Sequence, residues 1–116
     1  MPNKKNFLFI MCDQLRADYL SCMGHDRLET PHIDELASKG VLFTRAYYQA
    51  PICGGSRMNF YTERYAFTHG ASWNGIPLNL SERTIGDYLK PLGYRVALVG
   101  KTHMGCRSRR YASARD

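Results

Sequence analysis

The first candidate for chemistry is a cysteine that precedes two glycines and an arginine, in the stretch P-I-C-G-G-S-R. Glycines allow a tight turn and a close approach of the backbone to a ligand. The residues from Ser56 to Tyr65 are predicted to form a helix capped by Ser56. Cys53 would then lie just before a helix N-terminus, where free N–H groups and the helix dipole favour an anion. Arg57 adds a guanidinium that suits a phosphate or sulfate oxyanion. The alternative is a buried structural cysteine beside a surface arginine.

Two other polar groups follow apolar runs of the sequence. Asp13 and Gln14 come directly after the run Phe7–Cys12, and the group Lys101–His103 follows the run Arg95–Val99. Continuous apolar runs predict strands that are buried on both faces of a parallel sheet. Open α/β sheets bind ligands at the carboxyl ends of such strands. An aspartate beside an amide oxygen also suits a hard divalent cation, although a helix cap or a turn is an equally simple explanation of Asp13.

The other elements fit an α/β domain. Thr30-Pro31 is predicted to begin a helix that ends at Gly40, and Val41–Tyr48 is predicted to be the next strand. A second amphipathic helix is predicted over Ser81–Leu92. We therefore predict an α/β fold that has a parallel-sheet core and flanking helices. The three polar loops are expected to meet at one edge of that sheet.

Composition limits the classes of function. A chain of 116 residues is expected to form one domain. Its formal net charge is +6, and residues 105–116 supply half of it, with four arginines against one aspartate. The rest of the chain is only mildly basic and has no basic helix, so we do not expect nucleic acid as a partner.

The cysteines indicate the cellular compartment. The four cysteines have no C-x-x-C spacing, which argues against a zinc site and favours free thiols in a reducing compartment. The apolar run Phe7–Cys12 is too short for a signal-peptide core, and no stretch is long enough to cross a membrane. The expectation is a cytoplasmic protein with no membrane partner.

Four stretches of the sequence resemble the N-terminal part of the sulfatases in the alkaline-phosphatase-like superfamily: Phe7–Gln14, Thr30–Phe43, Pro51–Arg57 and Thr84–His103. The block T-I-G-D-Y-L-K-P-L-G-Y-R-V-A-L-V-G-K-T-H is highly specific. Asp13-Gln14 and Asn74 are similar to the choline-sulfatase and phosphonate monoester hydrolase subgroups. The resemblance implies the N-terminal part of an alkaline-phosphatase-like fold over residues 1–104. Residues 105–116 resemble nothing in the family and are expected to be a disordered basic tail.

The resemblance implies a nucleophile and a metal. Cys53 would be oxidised to formylglycine by a formylglycine-generating enzyme, and the hydrate of formylglycine would be the nucleophile. Asp13, Gln14 and the modified Cys53 would bind a divalent metal ion. Calcium is the expected ion, and manganese and magnesium are the alternatives.

The resemblance also implies which residues contact the substrate, a small sulfate or phosphonate ester. Arg57 would hold the formylglycine and neutralise charge, and Lys101 would contact the ester oxygens. His103 would hydrogen-bond the second hydroxyl of the hydrate or assist its breakdown. Asn74 would touch the substrate.

Two departures from the family shape the prediction for this chain. The modification signature is C-x-P-x-R or C-x-A-x-R, whereas Gly55 fills the third position here, so Cys53 could stay a thiol. The second pair of metal ligands of the family is also missing from the sequence. We therefore predict a fragment of a metal-dependent sulfuric ester hydrolase that is inactive by itself. The alternatives are a fragment of a phosphonate or phosphate ester hydrolase, or an inactive anion-binding module. A cysteine phosphatase is excluded because position 59 is Asn rather than Arg.

Overall fold

The computed structural model describes residues 4–105 and contains four α-helices within them. These are α1 (Pro31–Lys39), α2 (Cys53–Thr62), α3 (Ala66–His69) and α4 (Ile85–Leu89). Short 3₁₀ turns occupy Ala17–Tyr19, Ser21–Met23 and Lys90–Leu92. The chain divides into two compact units, Met1–Ala46 and Tyr47–Asp116.

The first unit is built on α1 and a carboxylate that ties it to the preceding turn. Pro31 occupies the first turn of the helix and Gly40 follows its last residue, as the sequence predicts. Asp34 accepts hydrogen bonds from the Ser21 hydroxyl, the Cys22 N–H at 2.9 Å and the Thr30 hydroxyl at 3.0 Å. Thr30 therefore bonds a side chain of the helix, and its side chain makes no bond to the backbone at the helix N-terminus.

The second unit holds the buried residues of the structure. Met58 is 1% exposed and forms a small core with Tyr61 and Ala71. Leu78 and Met104 pack against this core. Because three of these residues lie on α2 or in the segment after α3, the core fixes α2 within this unit.

The predicted start of α2 is wrong by one turn. The helix begins at Cys53, with Ile52 as the N-cap residue in extended conformation, and it ends at Thr62 rather than Tyr65. Ser56 lies inside the helix and does not cap it. The two glycines lie in the first turn of the helix, where their missing side chains let neighbouring backbone approach closely.

The second predicted amphipathic helix is shorter than expected. Residues 81–84 of the predicted helix are not helical, and Thr84 and Asp87 form a reciprocal capping box that starts α4. Pro91 lies in a 3₁₀ turn, where its missing N–H is tolerated, and Gly93 ends the segment with φ 78°.

No β-strand is present between residues 4 and 105. The predicted strands Phe7–Cys12, Val41–Tyr48 and Arg95–Val99 are neither helical nor paired in a ladder. Leu8 is 84% exposed and Val99 is 92% exposed, so these runs have no covering layer within the described residues. A parallel strand needs a paired neighbour and helices on both faces, and the parallel sheet therefore stays a prediction. Among the described residues, no helix has the length and apolar character to cross a membrane.

Candidate functional site

The N-terminus of α2 brings the cysteine and an amide side chain together. Cys53 is the first residue of the helix, and its Sγ donates to Asn74 Oδ1 at 3.2 Å. The same oxygen accepts the N–H of Gly54 at 2.8 Å. The Asn74 side chain thus accepts a hydrogen bond from one of the otherwise unpaired N–H groups in the first turn of the helix. The sequence singles out both Cys53 and Asn74, which are 21 positions apart.

The two glycines make this approach possible. A Cβ on Gly54 would lie 2.8 Å from Asn74 Oδ1 and 3.1 Å from the Trp73 carbonyl oxygen. A Cβ on Gly55 would lie 3.0 Å from the Ser72 carbonyl oxygen and 3.2 Å from the Ala50 Cβ. The segment that carries Asn74 therefore packs directly on the glycine face of α2.

The turn at residues 101–103 reaches the same end of α2. His103 Nε2 lies 3.9 Å from Cys53 Sγ, across 50 positions of sequence. Arg57 Nη1 donates to the Lys101 carbonyl oxygen at 2.8 Å. His103 has φ 59°, a left-handed conformation that a residue other than glycine adopts at a cost in free energy. The structure therefore gathers Cys53, Arg57 and the Lys101–His103 turn, and it holds the imidazole on a constrained backbone.

Arg57 is a buried cation near the helix N-terminus. It is 6% exposed, so the surface arginine considered in the alternative reading is not what the structure contains. A guanidinium with a backbone carbonyl as partner keeps its charge while it links two segments. Together with the N–H groups of the first turn of α2, it makes the neighbourhood of Cys53 favourable for an anion.

Asp13 and Gln14 belong to the first unit, and their position with respect to Cys53 stays a prediction. Both side chains are exposed and lie on a bend, and Gln14 has φ 54°, again left-handed. A carboxylate and an amide oxygen in succession fit the hard divalent cations, which prefer oxygen ligands. Between residues 4 and 105 no group of three or more His, Cys, Asp and Glu side chains is placed to hold a metal ion.

The sequence analysis missed a buried polar pair beneath the site. His69 and Asn59 are 6% and 7% exposed, and His69 Nε2 lies 2.8 Å from Asn59 Oδ1. The sequence offered one signal, because Asn59 lies one helical turn after Gly55 and one before Thr62, on a face that is buried. An amide at a buried helical position implies a hydrogen-bond partner.

Comparisons with known proteins give the family. A family model described as Sulfatase matches residues 5–115. Steryl-sulfatase of Mus musculus is 42% identical over 117 aligned positions, which cover 90% of this chain and 18% of that protein. An ulvan-active sulfatase of Formosa agariphila is 33% identical and is covered to 21%. The chain thus spans about a fifth of the length of these curated relatives.

A solved structure supports the same assignment. The crystal structure of the phosphonate monoester hydrolase of Agrobacterium radiobacter superposes with a TM-score of 0.66 and 36% sequence identity. The superposition covers 71% of this chain and 16% of that one. The match of the family model extends over nearly the whole sequence, and both kinds of relative agree with it. The chain belongs to the sulfatase family, whose members are hydrolases.

Proposed function

We propose that the chain is the cysteine-bearing part of a metal-dependent sulfuric ester hydrolase that uses formylglycine derived from Cys53. One observation carries the proposal: the thiol, the Asn74 amide and the His103 imidazole meet at the N-terminus of α2. A nucleophile, a nearby base and an anion-binding helix end are the parts that transfer of a sulfate group needs.

The Cys53 position would supply the attacking oxygen. One hydroxyl of the formylglycine hydrate attacks the sulfur of the ester and releases its proton to solvent. The bond from sulfur to the alcohol oxygen breaks, and the alcohol leaves after taking up a proton from water. The remaining hydroxyl then gives its proton to His103, the bond from carbon to the sulfate oxygen breaks, and an aldehyde forms. Water adds to the aldehyde and restores the hydrate.

His103 suits the role of base because of its position. Its Nε2 lies 3.9 Å from Cys53 Sγ, so a short movement brings it within hydrogen-bond distance of a hydroxyl at that position. The Asn74 side-chain oxygen accepts a hydrogen bond from the group at position 53 and would orient that group. The transferring sulfate would develop its charge beside the first turn of α2, Arg57 and Lys101.

Asp13 and Gln14 would hold the divalent metal ion, and their oxygen atoms match its chemistry. When bound, the ion would supply Lewis-acid stabilisation of the charge on the transferring group. Calcium, manganese and magnesium all accept such ligands. We further propose that the three apolar runs pair as the parallel sheet of an alkaline-phosphatase-like fold, which the likeness to the solved hydrolase supports.

A phosphonate ester is the second candidate substrate. The similarity to a phosphonate monoester hydrolase favours it. Gln14 and Asn74 resemble the choline-sulfatase and phosphonate monoester hydrolase subgroups alike and do not choose between the two substrates. A phosphonate monoester carries a single negative charge, as a sulfate monoester does. The anion site described above is therefore compatible with both.

The first test is mass spectrometry of the Cys53 peptide after coexpression with a formylglycine-generating enzyme. We expect Cys53 to lose its sulfur and to react with an aminooxy reagent, while the Cys22 peptide keeps its thiol. Because Gly55 departs from the modification signature, the fraction converted measures how far that departure matters. An intact thiol on every Cys53 peptide would exclude the formylglycine route and favour the anion-binding module.

The second test is turnover by the purified chain of 116 residues with aryl sulfate and phosphonate monoester substrates, in the presence of calcium or manganese. We expect rates no higher than those of Cys53→Ala, because the sequence contains only one of the two pairs of metal ligands that the family uses. Cys22→Ala is the matched control. Turnover well above Cys53→Ala would show that these residues suffice for the reaction.

A further inference from the structure

We propose that His69 is a positioning residue for the Cys53 site. It holds the segment 69–74 on α2 and thereby keeps the Asn74 amide against the cysteine. The catalytic meaning of this inference rests on the proposed function. Its geometry concerns only hydrogen bonds and packing within the second unit.

The hydrogen bonds of His69 define its protonation state. The N–H of Ala71 donates to His69 Nδ1 at 3.1 Å, so Nδ1 carries no proton. A neutral imidazole has one N–H, which must then be at Nε2 and donate to Asn59 Oδ1 at 2.8 Å. A protonated ring would place a second N–H against that of Ala71. The neutral ring therefore joins α2, through Asn59, to the backbone at Ala71.

Ala71 is the point from which the segment reaches the cysteine. Its side chain is completely buried in the core with Met58. The next carbonyl oxygens, those of Ser72 and Trp73, lie on the glycine face of α2 at the distances given above. Asn74 follows directly, and its Oδ1 accepts from both Cys53 Sγ and Gly54 N–H.

The position of segment 69–74 along α2 depends on the hydrogen bond between Ala71 and His69. Gly70 has φ 75°, so the chain turns sharply between His69 and Ala71, and the hydrogen bond across that turn fixes its geometry. Asn74 is exposed, and its side-chain oxygen bonds the first two residues of α2. Without the two hydrogen bonds of His69, we expect the segment to shift along α2 and the Asn74 side chain to lose contact with Cys53.

The test measures how fast iodoacetamide alkylates the Cys53 thiol. The full chain is made by cell-free expression without a formylglycine-generating enzyme, and peptide mass spectrometry separates Cys53 from Cys22, which serves as the reference thiol. The variants are His69→Leu, His69→Asn and Asn74→Ala. In His69→Asn the side-chain oxygen takes the place of Nδ1 and can still accept from Ala71.

Loss of the Asn74 acceptor frees Cys53 Sγ from its hydrogen bond and leaves the sulfur open to the reagent. We expect Asn74→Ala and His69→Leu to raise the alkylation rate of Cys53 by about two- to fivefold, the range of one weak hydrogen bond. His69→Asn is expected to stay near the rate of the unsubstituted chain. The double variant of His69→Leu and Asn74→Ala is expected to react no faster than Asn74→Ala.

Two results would overturn the inference. One is an unchanged Cys53 rate in His69→Leu together with a raised rate in Asn74→Ala. The other is a further increase in the double variant, which would mean that His69→Leu acts by unfolding the unit rather than through Asn74. Neither result depends on formylglycine, because alkylation reads the unmodified thiol. Failure of the proposed function would instead appear as an unconverted Cys53 peptide with the alkylation pattern intact.

Discussion

The two units are stabilised in different ways. In the first, no residue from position 4 to 46 is buried, and a half-exposed carboxylate, Asp34, collects the hydrogen bonds that tie α1 to the preceding turn. In the second, Met58 and Ala71 are enclosed, and Arg57, Asn59 and His69 are buried with them. The cysteine site is thus attached to a packed helix, whereas the proposed metal ligands lie in a unit maintained by surface hydrogen bonds. Packing therefore preorganises the cysteine site, whereas residues 4–46 contain no buried side chain that could do the same for Asp13 and Gln14.

The largest expected contrast comes from the core. Met58→Ala removes a side chain that is 1% exposed, and we expect it to lower the free energy of unfolding of the second unit by about 2–5 kcal/mol. Leu36→Ala, on α1 in the first unit, removes a side chain that is 66% exposed and should cost less than about 0.5 kcal/mol. Residue-resolved amide hydrogen exchange measures the two units separately. Equal losses in both variants would contradict the comparison.

The next effect concerns the glycine face of α2. Gly55→Ala places a methyl group 3.0 Å from the Ser72 carbonyl oxygen, and the resulting backbone shift should cost about 1–3 kcal/mol. The control is Gly86→Ala in α4, whose Cβ would meet only Val96 Cγ1 at 3.4 Å and Thr84 Oγ1 at 3.5 Å. Because alanine favours a helix over glycine, that variant should be neutral or more stable by up to about 1 kcal/mol. Urea unfolding of both proteins provides the measurement, and a stabilising Gly55→Ala would mean that the segment does not approach α2 so closely.

Mild acid should act on the second unit first. Burial lowers the pKa of His69 from its usual 6.5, while the charge of Glu82 acts to raise this pKa and that of Arg64 to lower it. The unfolded chain therefore binds the proton more readily than the folded chain does. The stability that the neutral ring contributes is complete above pH 6.5 and is lost as the pH falls through the lowered folded pKa.

The matched variant for this prediction is His69→Asn, which keeps the acceptor for Ala71 and cannot take up a proton. We expect the hydrogen-exchange protection of α2 to decrease below pH 6.5 in the unsubstituted chain and to decrease less in this variant. If the protection of α2 depends on pH in the same way in both proteins, a titrating group other than His69 is responsible.

Stronger acid should act on the first unit, with the smallest effect of the four. Hydrogen bonds from Ser21, then Thr30 and Cys22, hold the pKa of Asp34 below its usual 3.8, with burial acting against them. The contribution of Asp34 is therefore present above pH 3.8 and is lost as the pH falls through the lowered pKa. The hydrogen-exchange protection of α1 should decrease as the pH falls through that range. In Asp34→Asn the protection should no longer depend on pH there. Asp18→Asn is the control, because the Asp18 pair with Arg16 is exposed and worth little.

Local signals in the sequence were sufficient for some of these features. Pro31 and Gly40 gave both ends of α1. The motifs single out Cys53, Asn74 and His103, which lie close together, while their roles stay predictions. These features depend on backbone rules and on family motifs, which a sequence carries directly.

Features that depend on a partner in space were not available from the sequence. The sequence predicts a later start for α2 because its two glycines favour a tight turn. The close approach of Ser72, Trp73 and Asn74 explains why glycines occupy the first turn of the helix. The contact between His69 and Asn59 could not be predicted, because the two residues lie on different elements. The sheet likewise requires pairing that no single apolar run specifies.

The contact between Cys53 and His103 has a consequence for how the protein is made. The two residues are 50 positions apart, so the ribosome delivers the cysteine well before the imidazole that will face it. At about 5–20 residues per second, synthesis leaves an interval of roughly 3–10 s. During that interval the helix end lacks its contact with His103, and under the proposed function an enzyme that modifies Cys53 in the nascent chain would meet a more open target.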